Sequence, residues 1–233
     1  MRGHTDAKFV PRILTAEQKE WHLSVARNML QEAESDENFM GQIITGDETW
    51  VYGYDPETKR QSPQWKSAES PRPKKSAPGA VKSQSHVHCF LWYGGHCSLW
   101  VCSTRPNCKP TVLSTSFETS ETCCFSQEAW SLHHDNAPAH TAHSIQVFLA
   151  SHGIPVVQQP PYSPDMAPCD FWLFPQLKTV LKGKRFEDID AIKKNATSTL
   201  NIIPKDSFKK CFQQWQDRWK QCVSSQVEYF ENY

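Results

Sequence analysis

Three things are scarce in this chain of 233 residues. No run of about 18 apolar residues occurs, so no stretch is fit to cross a bilayer as a helix. Residues 1–15 also lack the apolar core of a secretory signal, so a soluble, intracellular protein is expected. Basic surplus is missing too: 25 Lys and Arg balance 25 Asp and Glu. A chain that lives by non-specific attraction to DNA usually carries such a surplus. Any DNA contact here must therefore be local. Glycine is sparse, 9 residues against 16 prolines, which favours fixed turns over flexible hinges.

Cysteine is not scarce. Of 9 in all, Cys89, Cys97, Cys102, Cys108, Cys123 and Cys124 crowd into one segment. Without a secretory signal, a disulfide framework is not expected. His86 and His88 lie nearby, but the cysteine gaps make no paired C-x2-C knuckle, so a structural zinc site is not expected either. The length allows one large domain or two small ones.

Along the chain, Thr15 and Gln18 form a capping box ahead of a stripe of Trp21, Val25, Met29 and Leu30, which predicts a helix to about Ala33. Residues 42–54 are β-branched and aromatic and read as two adjoining strands, with Asp47 where the first passes into the second. From 60 to 82 the chain turns polar and proline-rich, with Arg72, Lys74 and Lys75 interleaved; a linker or a short nuclear signal fits that composition. Between 83 and 128 no sustained period of 2 or 3.6 emerges. A short strand then delivers Asp135, and Pro138 with Thr141 reads as the opening of a helix that carries Ile145, Phe148 and Leu149 and ends at Gly153. Residues 154–157 read as a strand. A helix follows from about Ala167 to Lys182, with Asp170 in its first turn, where the helix dipole alone would favour a carboxylate. Two last helices carry Ile189, Ile192, Ala196 and Leu200, then Phe208, Phe212, Trp215, Trp219 and Val223; such stripes make core or dimer surface. Lys178, Lys182, Lys184 and Arg185 form a local basic cluster, either a phosphate-steering patch or a solvated helix end.

Whole motifs surround three of the acids. They are Thr45-Gly46-Asp47-Glu48-Thr49-Trp50, then His133-His134-Asp135-Asn136-Ala137-Pro138-Ala139-His140, then Tyr162-Ser163-Pro164-Asp165-Met166-Ala167-Pro168-Cys169-Asp170. Together they resemble the catalytic motifs of the mariner-family DNA transposases, over residues 8–82 and 130–233. The resemblance implies a ribonuclease-H-like α/β fold, a mixed sheet flanked by helices, in which Asp47, Asp135 and Asp170 are the catalytic and metal-binding residues. It implies Mg2+ or Mn2+ as cofactor. Two such ions about 3.5–4 Å apart activate the attacking oxygen and stabilise the leaving one, so no covalent Ser or Cys is needed. Hard cations call for oxygen ligands, which suits three carboxylates. His133, His134 and His140 are expected to shape the loop.

The resemblance also divides the chain: 1–35 as linker remnant and helix, 36–233 as catalytic domain. Phe9-Val10-Pro11-Arg12-Ile13-Leu14-Thr15 is similar to the mariner linker, and the eight residues before it leave no room for a recognition helix, so end-specific reading is expected to be absent. Residues 60–82, with Gln64-Trp65-Lys66, would be the clamp loop that reaches a partner subunit, so a homodimer is implied, and DNA held by backbone contacts in the nucleus. In the family, the interval 83–128 holds two core strands and a basic helix. Codons allowed for residues 86–124 can be chosen so that the neighbouring reading frame encodes strand, turn, strand and an Arg- and Leu-rich helix. A frameshifted insert is therefore expected, disrupting strands 2 and 3. The function expected is metal-dependent DNA strand cleavage and transfer with impaired activity. The alternative is an inactive relic that keeps at most a DNA or dimer contact.

Overall fold

β-Branched and aromatic side chains crowd the stretch Ile43–Tyr52, and they form one ten-residue strand, β1. It organises the sheet. The computed structural model describes residues 13–57, 84–94, 96–103 and 130–227. Within these, β1 pairs antiparallel with β2 (Gln84–Trp92), and β2 with β3 (His96–Ser103). On its other edge β1 runs parallel to the short β4 (Ser131–His133), which runs parallel to β5 (Val156–Val157). The order is β3-β2-β1-β4-β5, a mixed sheet.

Two expectations are corrected here. Residues 42–54 do not break into two strands: the ladder from Ile44↔Trp92 to Tyr52↔Gln84 is continuous, so Asp47 sits mid-strand, opposite Cys89. Nor are strands 2 and 3 disrupted, since β2 and β3 form a hairpin. The reason is burial on both faces. Val87, Cys89 and Leu91 enter one core and Phe90 the other, so β2 carries buried side chains on both faces and shows no alternation to read.

The larger core gathers β1 and β2 against the helices. Helix α1 (Ala16–Ser35) begins at the capping box foreseen at Thr15 and Gln18 and buries Ala26 and Met29. Helix α2 (His143–Ser151) opens later than Pro138, because Ala137 O closes an isolated turn by accepting from the His140 and Thr141 amides. It buries Ile145 and Leu149 beside Ile44, Phe90 and Leu132 in the smaller core. Gly153, at φ +64, ends it. The helix expected from Ala167 is a π turn (Cys169–Leu173) running into α3 (Phe174–Leu181), and Gly183 at φ +80 follows its end.

Helices α4 (Ile189–Ile202) and α5 (Lys205–Ser224) bury the stripes read from the sequence except at Ile189 and Val223, which are half-buried, so the aromatic one is core. Trp215, 1% exposed, donates from Nε1 to Met166 O at 2.6 Å and packs edge-on against His133. Helix α1 packs on α5, where Cys222 Sγ lies 3.9 Å from His22 O. No described helix is long and apolar enough to cross a membrane. The linker residues 9–12, the clamp segment 60–82 with its basic run, and residues 104–128 with Cys108, Cys123 and Cys124 lie outside the described residues.

Candidate active site

Each of the three acids arrives on a different element. Asp47 comes from the middle of β1, Asp135 from just past the end of β4, and Asp170 from the π turn before α3. The elements are tied together underneath them. Thr45 Oγ1 and His133 Nδ1 are 2.9 Å apart across β1 and β4, fully buried, and Cys169 Sγ reaches Thr45 O at 4.0 Å. Gly46 is required beside Asp47: a Cβ there would meet the Phe90 ring at 2.6 Å.

The acids feel one another. Burial pushes the Asp47 carboxyl up to about 8, with Asp170 and then Asp135 adding repulsion against the Glu48 amide that donates to Oδ1 at 2.7 Å. Asp170 is raised to about 6 by burial and then by the charge of Asp135, with Lys178 opposing. Asp135 behaves oppositely. Burial acts upward on it, but His140 and the Ala137 amide, donating at 3.0 Å, outweigh burial and hold it below the usual carboxylate range.

A second layer of charge lies beside these. His140 Nδ1 is 2.6 Å from Asp135 Oδ1, and His140 Nε2 is 2.9 Å from Glu48 Oε1. His88 Nδ1 meets that same Glu48 oxygen at 2.9 Å. Burial acts downward on His140, yet its bonds to Asp135 and Glu48 raise it to about 10. Burial acts upward on Glu48, and the His140 and His88 bonds hold it well below its ordinary value. Sequence reading missed this network. The only signal for it was Glu48 standing next to Asp47, where strand alternation sends the two side chains to opposite faces. His133 and His134 shape the loop, the former through Thr45 and the latter through Nδ1, 2.7 Å from Asp135 O.

Of the basic cluster, Lys178 lies near enough to Asp170 to oppose its shift, whereas Arg185 stacks its guanidinium 4.7 Å from the Tyr54 ring centre. Among the described residues, no three His, Cys, Asp or Glu side chains already stand in a metal-binding arrangement. The donor chemistry nonetheless suits a hard cation. The acids supply only oxygen, and Asp47 and Asp170 are raised partly by like charge, which a divalent ion would relieve.

A family model described as DDE superfamily endonuclease matches residues 51–193, more than half of the chain, and the chain belongs to that family. The match spans Asp135 and Asp170 and begins four residues beyond Asp47. Over 246 residues the chain is 24% identical to the mariner Mos1 transposase of Drosophila mauritiana, covering 96% of this chain and 66% of that protein. Over 235 residues it is 26% identical to the Homo sapiens histone-lysine N-methyltransferase SETMAR, covering 96% of this chain and 33% of SETMAR. The chain thus spans from a third to about two thirds of the length of these relatives.

Among solved structures, the catalytic domain of Mos1 mariner transposase matches with a TM-score of 0.74 at 21% identity, covering 96% of this chain and 100% of that one. Mos1 paired-end complexes described with Mg and with Mn match at TM-scores of 0.85 and 0.84, each at 22% identity over 99% of this chain and 68% of theirs. The fold is ribonuclease-H-like, and the chain is a DDE superfamily member similar to mariner transposases.

Proposed function

We propose that the chain is a strand-cleaving domain in which Asp47, Asp135 and Asp170 hold Mg2+ or Mn2+ against a DNA phosphodiester, with impaired activity. The observation that carries this reading is the meeting of three acids from three elements, where burial and then the charge of neighbouring acids raise Asp47 to about 8 and Asp170 to about 6. Carboxylates crowded in this way are stable together once a cation lies among them. When bound, the ions would supply Lewis acidity to the attacking and leaving oxygens. The protein binds the ions through Asp47, Asp135 and Asp170, and Lys178 offers a positive charge beside Asp170 for a phosphate oxygen. No protein nucleophile is needed.

Residues 36–233 form the catalytic domain and 1–35 the linker and its helix. The partner is DNA, held by its backbone in the nucleus, and two copies of the chain pair to act. The resemblance to Mos1 complexes described with Mg, with Mn and as a strand transfer complex supports these assignments. A second reading, an inactive relic, shares the same family and fold. Plasmid nicking separates the two. Nicking that requires Mn2+ and disappears in Asp135→Ala and Asp170→Ala supports the enzyme, and a well-folded sample that never nicks supports the relic.

A further inference from the structure

Behind Asp135 stands a chain of buried charge that the three-acid reading does not use. Asp135 Oδ1 meets His140 Nδ1 at 2.6 Å, His140 Nε2 meets Glu48 Oε1 at 2.9 Å, and His88 Nδ1 meets that same oxygen at 2.9 Å. The side chains of His140 and His88 are 3% and 6% exposed, and Glu48 is 14% exposed. Two of these residues are fixed by the sheet, since Glu48 on β1 and His88 on β2 are register partners.

Ionised carboxylate oxygens only accept. His140 Nε2 donates to Glu48 Oε1 at 2.9 Å, and the ring is wedged between the two acids. It cannot turn without breaking both contacts. Asp135 Oδ1 is thereby anchored, receiving the Ala137 amide at 3.0 Å and lying 2.6 Å from His140 Nδ1. Among the described residues, Oδ2 receives no protein donor, and it is the oxygen left for a cation.

We propose that Glu48 is a positioning residue: acting through His140, it fixes the direction in which Asp135 presents its carboxylate. His88 completes the anchor from β2, within the stretch whose sequence carries no period. This inference rests on the three-acid reading for what Asp135 holds, but the anchoring itself does not require a metal. Partners behind a ligand typically change metal affinity about 10–100-fold when removed.

The test is Mn2+ affinity by calorimetry for the chain, Glu48→Gln, His140→Phe and the double variant. Each single change should weaken binding about tenfold or more. The double should bind no more weakly than His140→Phe alone, because Glu48 acts through that ring. Additive losses, or unaltered affinity in Glu48→Gln, overturn the proposal. A parent chain that binds no Mn2+ refutes the three-acid function only. Imidazole nitrogen NMR of the metal-free protein then decides the anchoring. A slowly exchanging Nε2 proton on His140 is expected, perturbed by Glu48→Gln, with the His140 ring signals also shifted in Asp135→Asn. A rapidly exchanging Nε2 proton, or ring signals indifferent to Asp135→Asn, contradicts it.

Discussion

Asp47 and Glu48 are neighbours in sequence, and burial acts on both, yet one carboxyl is pushed up to about 8 while the other is held far below its ordinary value. The difference is company: acids around Asp47, imidazoles around Glu48. His133 shows the same logic for a base. Burial drives it down to about 3 from an ordinary value of 6.5, so the ring between Thr45 and Trp215 is neutral. The unfolded chain binds a proton there below pH 6.5 and the folded chain does not, so stability falls as pH drops from 6.5 towards 3. For one group that slope is at most about 1.4 kcal/mol per pH unit. His140, raised to about 10, contributes fully below 6.5 and so adds no slope there; its share is lost as pH rises through 10. Urea unfolding at pH 6.5 and 5.0 should therefore show a smaller acid loss for His133→Asn than for the parent chain. Equal losses would mean that His133 is protonated in the fold.

At the scale of elements, α5 does more than fill the core. Trp215 Nε1 donates to Met166 O, and Met166 lies in the 3-10 turn (Pro164–Met166) just ahead of the π turn that carries Asp170. Trp215→Phe keeps most of the ring but leaves that carbonyl without its donor. A loss of about 1–3 kcal/mol is expected in urea unfolding, against under about 0.5 for Trp21→Phe, whose ring is half exposed. The aromatic stripe of α5 and the capping box of α1 could be read from residues, because both are local patterns. The start of α2 could not. Pro138 and Thr141 look like a helix opening, but the backbone spends Ala137 O on a separate turn that brings His140 to Asp135.

In the whole molecule, β1, β4 and the π turn bring the acids at positions 47, 135 and 170 within reach of one another's charge, and the motifs around them are legible along the chain. What held them together was less so. The β2–β3 hairpin arises from a segment without periodicity, since a strand buried on both faces need not alternate. The His140–Glu48–His88 anchor joins three elements, and no spacing in one dimension encodes it.

The central claim is that these acids hold a divalent ion, and thermal unfolding of the 233-residue chain with and without Mn2+ tests it most directly. A ligand that binds only the folded state raises its melting temperature. The account predicts a cooperative melt that shifts upward with Mn2+ and an Asp135→Ala variant in which the shift is gone. A melt indifferent to Mn2+, or a shift that survives Asp135→Ala, would contradict it.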